Sequence, residues 1–355
     1  MSNPFDAKAI LDALRPSLTG LRGRAIVPEG VQPPSTQSPL GVLAGFVSDN
    51  ATGPTTVWSG KGFNIVELPN RNMETPPNTP KFQVKLNAYT ETLTFTRFEN
   101  DEPAPNRGNS QPDMDIRAIQ YFQSIADAVT KGGIHAETGM WLMVPDPKVP
   151  GPGGGPMLAR LGVIPHGDSI LCQGFSIGQR LENTPPQFED ADTTPFTLDA
   201  NGNRVNDASA PYLQIIQSAP LPPGITPAIV RNPNVLLQQH LAGTTVLEMD
   251  VLILSANPIA GIDGVQGTFE QVGKAGGIVN IPFVVKNANS NSMTCIFWLE
   301  KVRDDATGEE FLQVQYSQTV ILDFQVLGAN GTPVDIKWPH VSVATLREPG
   351  APALP

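Results

Sequence analysis

Between Thr55 and Leu346 the chain consists largely of runs whose apolar residues recur at every second position. The clearest is Glu310 to Phe324, where Leu312, Val314, Tyr316, Val320, Leu322 and Phe324 alternate with Gln313, Gln315, Ser317 and Thr319. A period of two places successive side chains on opposite faces of a strand, so one face is committed to a core. Similar runs cover Thr55–Leu68, Phe82–Phe98, Ile116–Ala126, Ile134–Val144, Leu158–Ile164, Asp168–Ser176, Thr244–Ser255, Ile278–Lys286, Ser292–Val302 and Ile336–Leu346. Within Phe82–Phe98 the apolar phase changes from Val84, Leu86 and Ala88 to Tyr89, Leu93 and Phe95, which predicts a bulge or a corner between two strands.

Helical signals are few. Ile10, Leu11 and Leu14 mark a short amphipathic arm over Pro4 to Ser17 that Pro16 ends, followed by a Pro/Ser-rich linker at 27–40. The run NVLLQQHLAG predicts a second short helix, with Asn232 as its cap, Pro233 in its first turn and Gly243 after its end. The stretch 181–210, rich in Pro, Asn and Asp, reads as an insertion or surface loop.

About eleven or twelve strands joined mostly by short turns favour antiparallel pairing, and long alternating strands without edge protection favour closure. The expected architecture is all-β: one large antiparallel barrel of about 10–12 strands, wide enough to enclose a ligand. It would span residues 40–348, after an N-terminal arm and linker at 1–39, with an insertion at about 177–243 and a tail at 349–355.

The 34 acidic against 23 basic residues leave a net charge of −11, unsuited to nucleic acid or to an anionic membrane surface. No apolar run approaches the roughly 20 residues that span a bilayer as a helix. The first twenty residues lack a basic leader and an apolar core, so a signal peptide is not expected. The only two cysteines, Cys172 and Cys295, lie in apolar runs without C-x-x-C spacing and read as buried free thiols in a reducing, cytoplasmic setting. The sequence carries no signal for an oligomeric state.

Glycine-rich stretches carry no nucleotide chemistry. The run Pro150–Pro156 lacks a following Lys-Ser/Thr and a helix, and Gly60 and Gly62 lie inside a strand, where glycine lets a strand bend or another chain pass closely. Neither cysteine stands on a recognisable nucleophile elbow, and there is no paired-ligand zinc spacing. Of the four histidines, His166 reads as a turn residue and His240 as a surface residue of the second helix. His135 and His340 stand among apolar neighbours on strands, where a neutral imidazole can bind a metal or a ligand. Glu137 shares a face with His135 and could fix its tautomer. The alternative for both histidines is a satisfied place in the core.

Five segments, in order, resemble the nitrobindin family of haem-binding β-barrels. Trp58-Ser59-Gly60-Lys61-Gly62 resembles the family's W-x-G-x-G strand, and Glu91, Leu93 and Phe95 its E-x-L-x-F strand. Tyr121 and Gln123 stand where it has Y-x-Q, and His135-Ala136-Glu137-Thr138-Gly139-Met140 resembles its H-A-E-S-G-Y strand. Pro339-His340 lies where it has a C-terminal P-H pair. The resemblance implies haem b as cofactor, His340 as the iron ligand, and His135, Trp58, Gly60, Gly62 and Trp338 as cofactor-binding residues. It also implies nitric oxide or peroxynitrite chemistry in an apolar pocket, with His135 and Glu137 as catalytic residues. The chain is about twice the length of such a domain, and residues 177–243 and 257–277 have no counterpart. Two other functions suit the same residues: a non-catalytic carrier of a fatty acid or other small hydrophobe, and a metal-free enzyme built on His135 and Glu137.

Overall fold

The structure, a computed structural model, describes residues 55–69, 82–97, 104–106, 114–144, 157–176, 181–183, 185–200, 204–205, 216, 219–256, 277–327 and 333–355. The expected N-terminal arm, the linker and the Pro150–Pro156 run lie outside these residues.

The strands are β1 (Thr55–Pro69), β2 (Phe82–Arg97), β3 (Ala104–Asn106), β4 (Met114–Asp127), β5 (Gly133–Val144), β6 (Met157–Ile164), β7 (Asp168–Ser176), β8 (Leu181–Glu182), β9 (Thr197–Leu198), β10 (Arg204–Val205), β11 (Thr244–Ala256), β12 (Gly277–Asn280), β13 (Asn289–Asp304), β14 (Glu310–Leu327) and β15 (Pro333–Arg347). Three short helices are described: α1 (Pro227–Arg231), α2 (Asn234–His240) and α3 (Pro282–Asn287).

Ten strands close an antiparallel barrel in the order β1-β2-β4-β5-β6-β7-β11-β13-β14-β15, with β15 returning to β1. Most neighbours pair along nearly their whole length, β1 with β2 over Thr55–Pro69 and β14 with β15 over Gln313–Leu327. The seam is β7 against β11, which pair only from Leu252↔Ser176 to Ser255↔Gln173. The other half of β7, Asp168 to Leu171, pairs with β12 instead.

Two expectations are corrected here. Ile278–Lys286 is not one strand: β12 stops at Asn280 and Pro282 opens α3. Proline presets the first-turn φ and has no N–H to give a ladder, so the apolar run continues as a helix. Nor does β2 break where its apolar phase changes, since its register against β1 is continuous. Tyr89, Leu93 and Phe95 pack into the barrel interior, whereas Val84, Leu86 and Ala88 pack against a second cluster on the outer face. The strand changes which face it buries.

That outer cluster explains part of the insertion. Phe63, Ile65, Trp298, Val341 and Val343 on the barrel wall are covered by Ile225, Ile229, Val230, Leu236, Leu237 and Leu241. Each buried side chain of this size contributes about 1.5–3 kcal/mol, so an uncovered outer face would forfeit much of the stability of the wall. Thr226 caps α1, accepting from the Ile229 N–H, and Pro227 follows it in the first turn. At α2 the Asn232 side chain accepts from the Asn234 N–H, although Pro233 occupies the capping position. The C-terminal tail also returns to the wall: Lys61 donates to the carbonyls of Leu354 and Pro355, and Arg347 to those of Pro352 and Ala353.

Candidate functional site

Alternation along β5 separates an inward face from an outward one. Glu137, Trp141 and Met143 are buried, while Thr138 and Met140 on the other face are exposed. His135 stands on the same inward face near the start of the strand.

Glu137 is the hub of a buried polar network. Its Oε1 accepts from Arg160 NH2 at 2.8 Å and from the Tyr121 hydroxyl, and its Oε2 stands 3.4 Å from His135 Nε2. Arg160 further donates to Gln318 at 3.0 Å and to the Tyr121 oxygen at 3.3 Å, and lies over the Phe297 ring. Burial alone would raise the Glu137 carboxyl, but the Arg160 guanidinium, with His135 and Tyr121, outweighs it and holds the group at about 2. A carboxylate so strongly held is poorly matched to proton transfer near neutral pH. In the structure it accepts from Arg160 and Tyr121.

A second carboxyl behaves oppositely. Glu91 accepts from Gln123 at 2.7 Å and from the Tyr316 hydroxyl at 2.6 Å. Burial raises it to about 7 against both of those hydrogen bonds. Tyr89 completes this set, donating to the Val343 carbonyl at 2.9 Å. The E-x-L-x-F and Y-x-Q segments thus meet inside the barrel.

His340 occupies a distinct position. The pairing of β1 with β15 ends at Ile65↔Val341, and there His340 Nδ1 lies 2.7 Å from the Ile65 carbonyl oxygen. A carbonyl oxygen only accepts, so Nδ1 carries the proton and Nε2 keeps its lone pair. Opposite His340 is Val320, which packs against the interior cluster. Loss of solvent pushes His340 down to about 4; the bond to Ile65 works against that shift, and the charges of His135 and His166 add to it. The neutral form therefore prevails at physiological pH.

His166, in the turn between β6 and β7, places its ring 5.4 Å from that of His135. Desolvation lowers its pKa, His135 adds to the shift, and Asp168 opposes it. Three of the four histidines thus sit within reach of one another's charge. His240 does not join them, and it is not a surface residue: α2 buries it, with Nδ1 2.9 Å from the Thr345 hydroxyl.

The other expected cofactor residues are placed as follows. Trp58 is buried in the interior cluster. Gly60 and Gly62 face the β15 backbone, where a Cβ would overlap the Thr345 oxygen and the Val343 oxygen with the Tyr89 ring respectively. Close packing of strands accounts for both. Trp338 is fully buried with Ile336 in the outer cluster, not in the interior one. Arg160 had no role in the sequence reading, although a guanidinium between Leu158 and Gly162 on the inward phase was the available signal. Among the described residues no group of three or more His, Cys, Asp or Glu is arranged to hold a metal ion.

No family model and no curated protein matches the chain. Nine chains of solved structures are similar. One is the crystal structure of Rv2717c from M. tuberculosis, 12% identical, spanning 84% of this chain and 94% of that one, with a TM-score of 0.31. So distant a likeness lends nothing to the site, and the nitrobindin resemblance rests on the residues quoted for it.

Proposed function

We propose that this barrel binds haem b, with His340 as the protein ligand to iron and with His135 and His166 beside it. The observation that carries the reading is the His340 Nδ1 bond to the Ile65 carbonyl. Metal-ligating histidines almost always donate their other ring N–H to a carbonyl or carboxylate, which fixes the ring and raises its basicity. His340 has that arrangement, and its lowered pKa keeps the Nε2 lone pair available.

Bound there, haem would supply an iron centre suited to nitric oxide or peroxynitrite. The chain's own part is to fix His340 through Ile65 and His135 through Glu137, with Arg160 and Tyr121 holding Glu137 ionised. The ionised Glu137 disfavours the metal-free acid–base reading, because its proton affinity is too low for the task. Hemin titration of the wild type and of His340→Ala tests the proposal: a Soret band that depends on His340 supports it. Failure of the wild type to take up hemin would leave the carrier of a small hydrophobe as the reading of the barrel.

A further inference from the structure

Three buried sulfur atoms in the interior wall take no part in the hydrogen bonds to Glu137. Cys172 on β7 and Met293 and Cys295 on β13 all belong to the interior cluster, with exposures of 0%, 1% and 0%. β7 and β13 are not neighbours; β11 lies between them. Met293 is directly opposite Ala256 on β11, and the β7–β11 register, ending at Ser255↔Gln173, leads next to Cys172 beside the same alanine. Because Ala256 has only a methyl group, side chains from the two flanking strands can meet above it. They do: Cys172 Sγ is 3.7 Å from Met293 Sδ, and Cys295, two residues along β13 from Met293, belongs to the same buried interior cluster.

We propose that Cys172, Met293 and Cys295 form a three-sulfur site for a soft monovalent cation, Cu(I). Thiolate and thioether donors select Cu(I) over harder ions. Two sulfurs bonded to one metal at about 2.3 Å stand roughly 3.8–4.0 Å apart in tetrahedral or trigonal geometry, and the Cys172–Met293 separation needs little change to reach that range. Binding displaces the two thiol protons, since the ligands are thiolates. Arg160, directly opposite Cys172 in the β6–β7 register, offers a guanidinium that would offset part of the resulting negative charge. Burial keeps water and oxidants from the metal. Entry requires opening of the wall, and the adjacent β7–β11 seam, paired at only four positions, is the place for it.

The test is an anaerobic titration of the full chain with Cu(I) in competition with a chromogenic Cu(I) chelator, alongside Cys172→Ser, Cys295→Ser and Met293→Leu. The wild type is expected to retain one equivalent, with a near-ultraviolet thiolate-to-copper band and uptake accelerated by mild denaturant. Each cysteine variant should lose at least about tenfold in affinity, and Met293→Leu, which keeps the volume, should weaken retention while its far-ultraviolet circular dichroism stays unchanged. X-ray absorption of the copper-loaded wild type should show three sulfur neighbours at about 2.3 Å, a readout that stands if a cysteine variant does not fold. Equal retention by the wild type and all three variants, or a shell of nitrogen and oxygen neighbours, overturns the proposal.

Discussion

Arg160 and Glu137, on adjacent strands β6 and β5, form a buried ion pair at 2.8 Å inside the barrel. Removing one partner of such a pair strands the other charge in a poorly solvated place, typically at a cost of about 3–5 kcal/mol. Arg160→Met should therefore be markedly destabilised, whereas Arg160→Met with Glu137→Gln should recover much of the loss. Denaturant unfolding of the single and double variants checks this. Equal stability of the Arg160→Met single variant and wild type would mean that the pair carries no net weight.

The same pair sets an acid limit. Glu137 is depressed to about 2 in the fold from an ordinary value near 4.5. A carboxylate with a depressed folded pKa contributes stability that is present above the unfolded value and lost as pH falls toward the folded one. Unfolding free energy measured from pH 5 down to pH 2 should fall more steeply for wild type than for Glu137→Gln.

Glu300 predicts the opposite slope. Fully buried and bonded to Gln313 at 2.8 Å, its carboxyl is raised by burial to about 8. Its contribution is complete below the unfolded value near 4.5 and is lost as pH rises through about 8, with a slope of at most about 1.4 kcal/mol per pH unit. Glu300→Gln should be close to wild type at pH 5 and more stable than wild type at pH 9. Thermal unfolding at the two pH values decides the matter.

Gly60 should tolerate no side chain, because a Cβ there would overlap the Thr345 backbone oxygen. Backbone cannot swing aside as a flexible side chain can, so Gly60→Ala should lose about 1–3 kcal/mol. A melting temperature equal to that of wild type would contradict this placement of β1 against β15.

Much of the barrel was legible because its strands bury one face each. The period of two marked β5, β14 and the other walls, and in Ile134–Val144 it put Glu137 on one face with His135. It failed where two burials compete, as in β2, whose outer half packs under the insertion. It failed also at Pro282, where an apolar run continues across a helix start. His240 was misread because α2 presents it to Thr345 on β15, a contact between residues 105 positions apart. Arg160 was missed for a related reason: its partners Glu137, Tyr121 and Gln318 come from three other strands, and no local spacing announces them.

In the proposed haem site His340 presents Nε2 to the iron, with Nδ1 held by Ile65. Hemin titration followed by Soret absorbance, on wild type, His340→Ala and His135→Ala, tests it most directly. The expected result is a saturable Soret band for wild type, its loss or a marked shift for His340→Ala with unchanged far-ultraviolet circular dichroism, and retention of the band in His135→Ala. Because His340 protonates only near pH 4, the wild-type band should also persist through pH 5. An identical band in wild type and His340→Ala, or none in either, would contradict the claim.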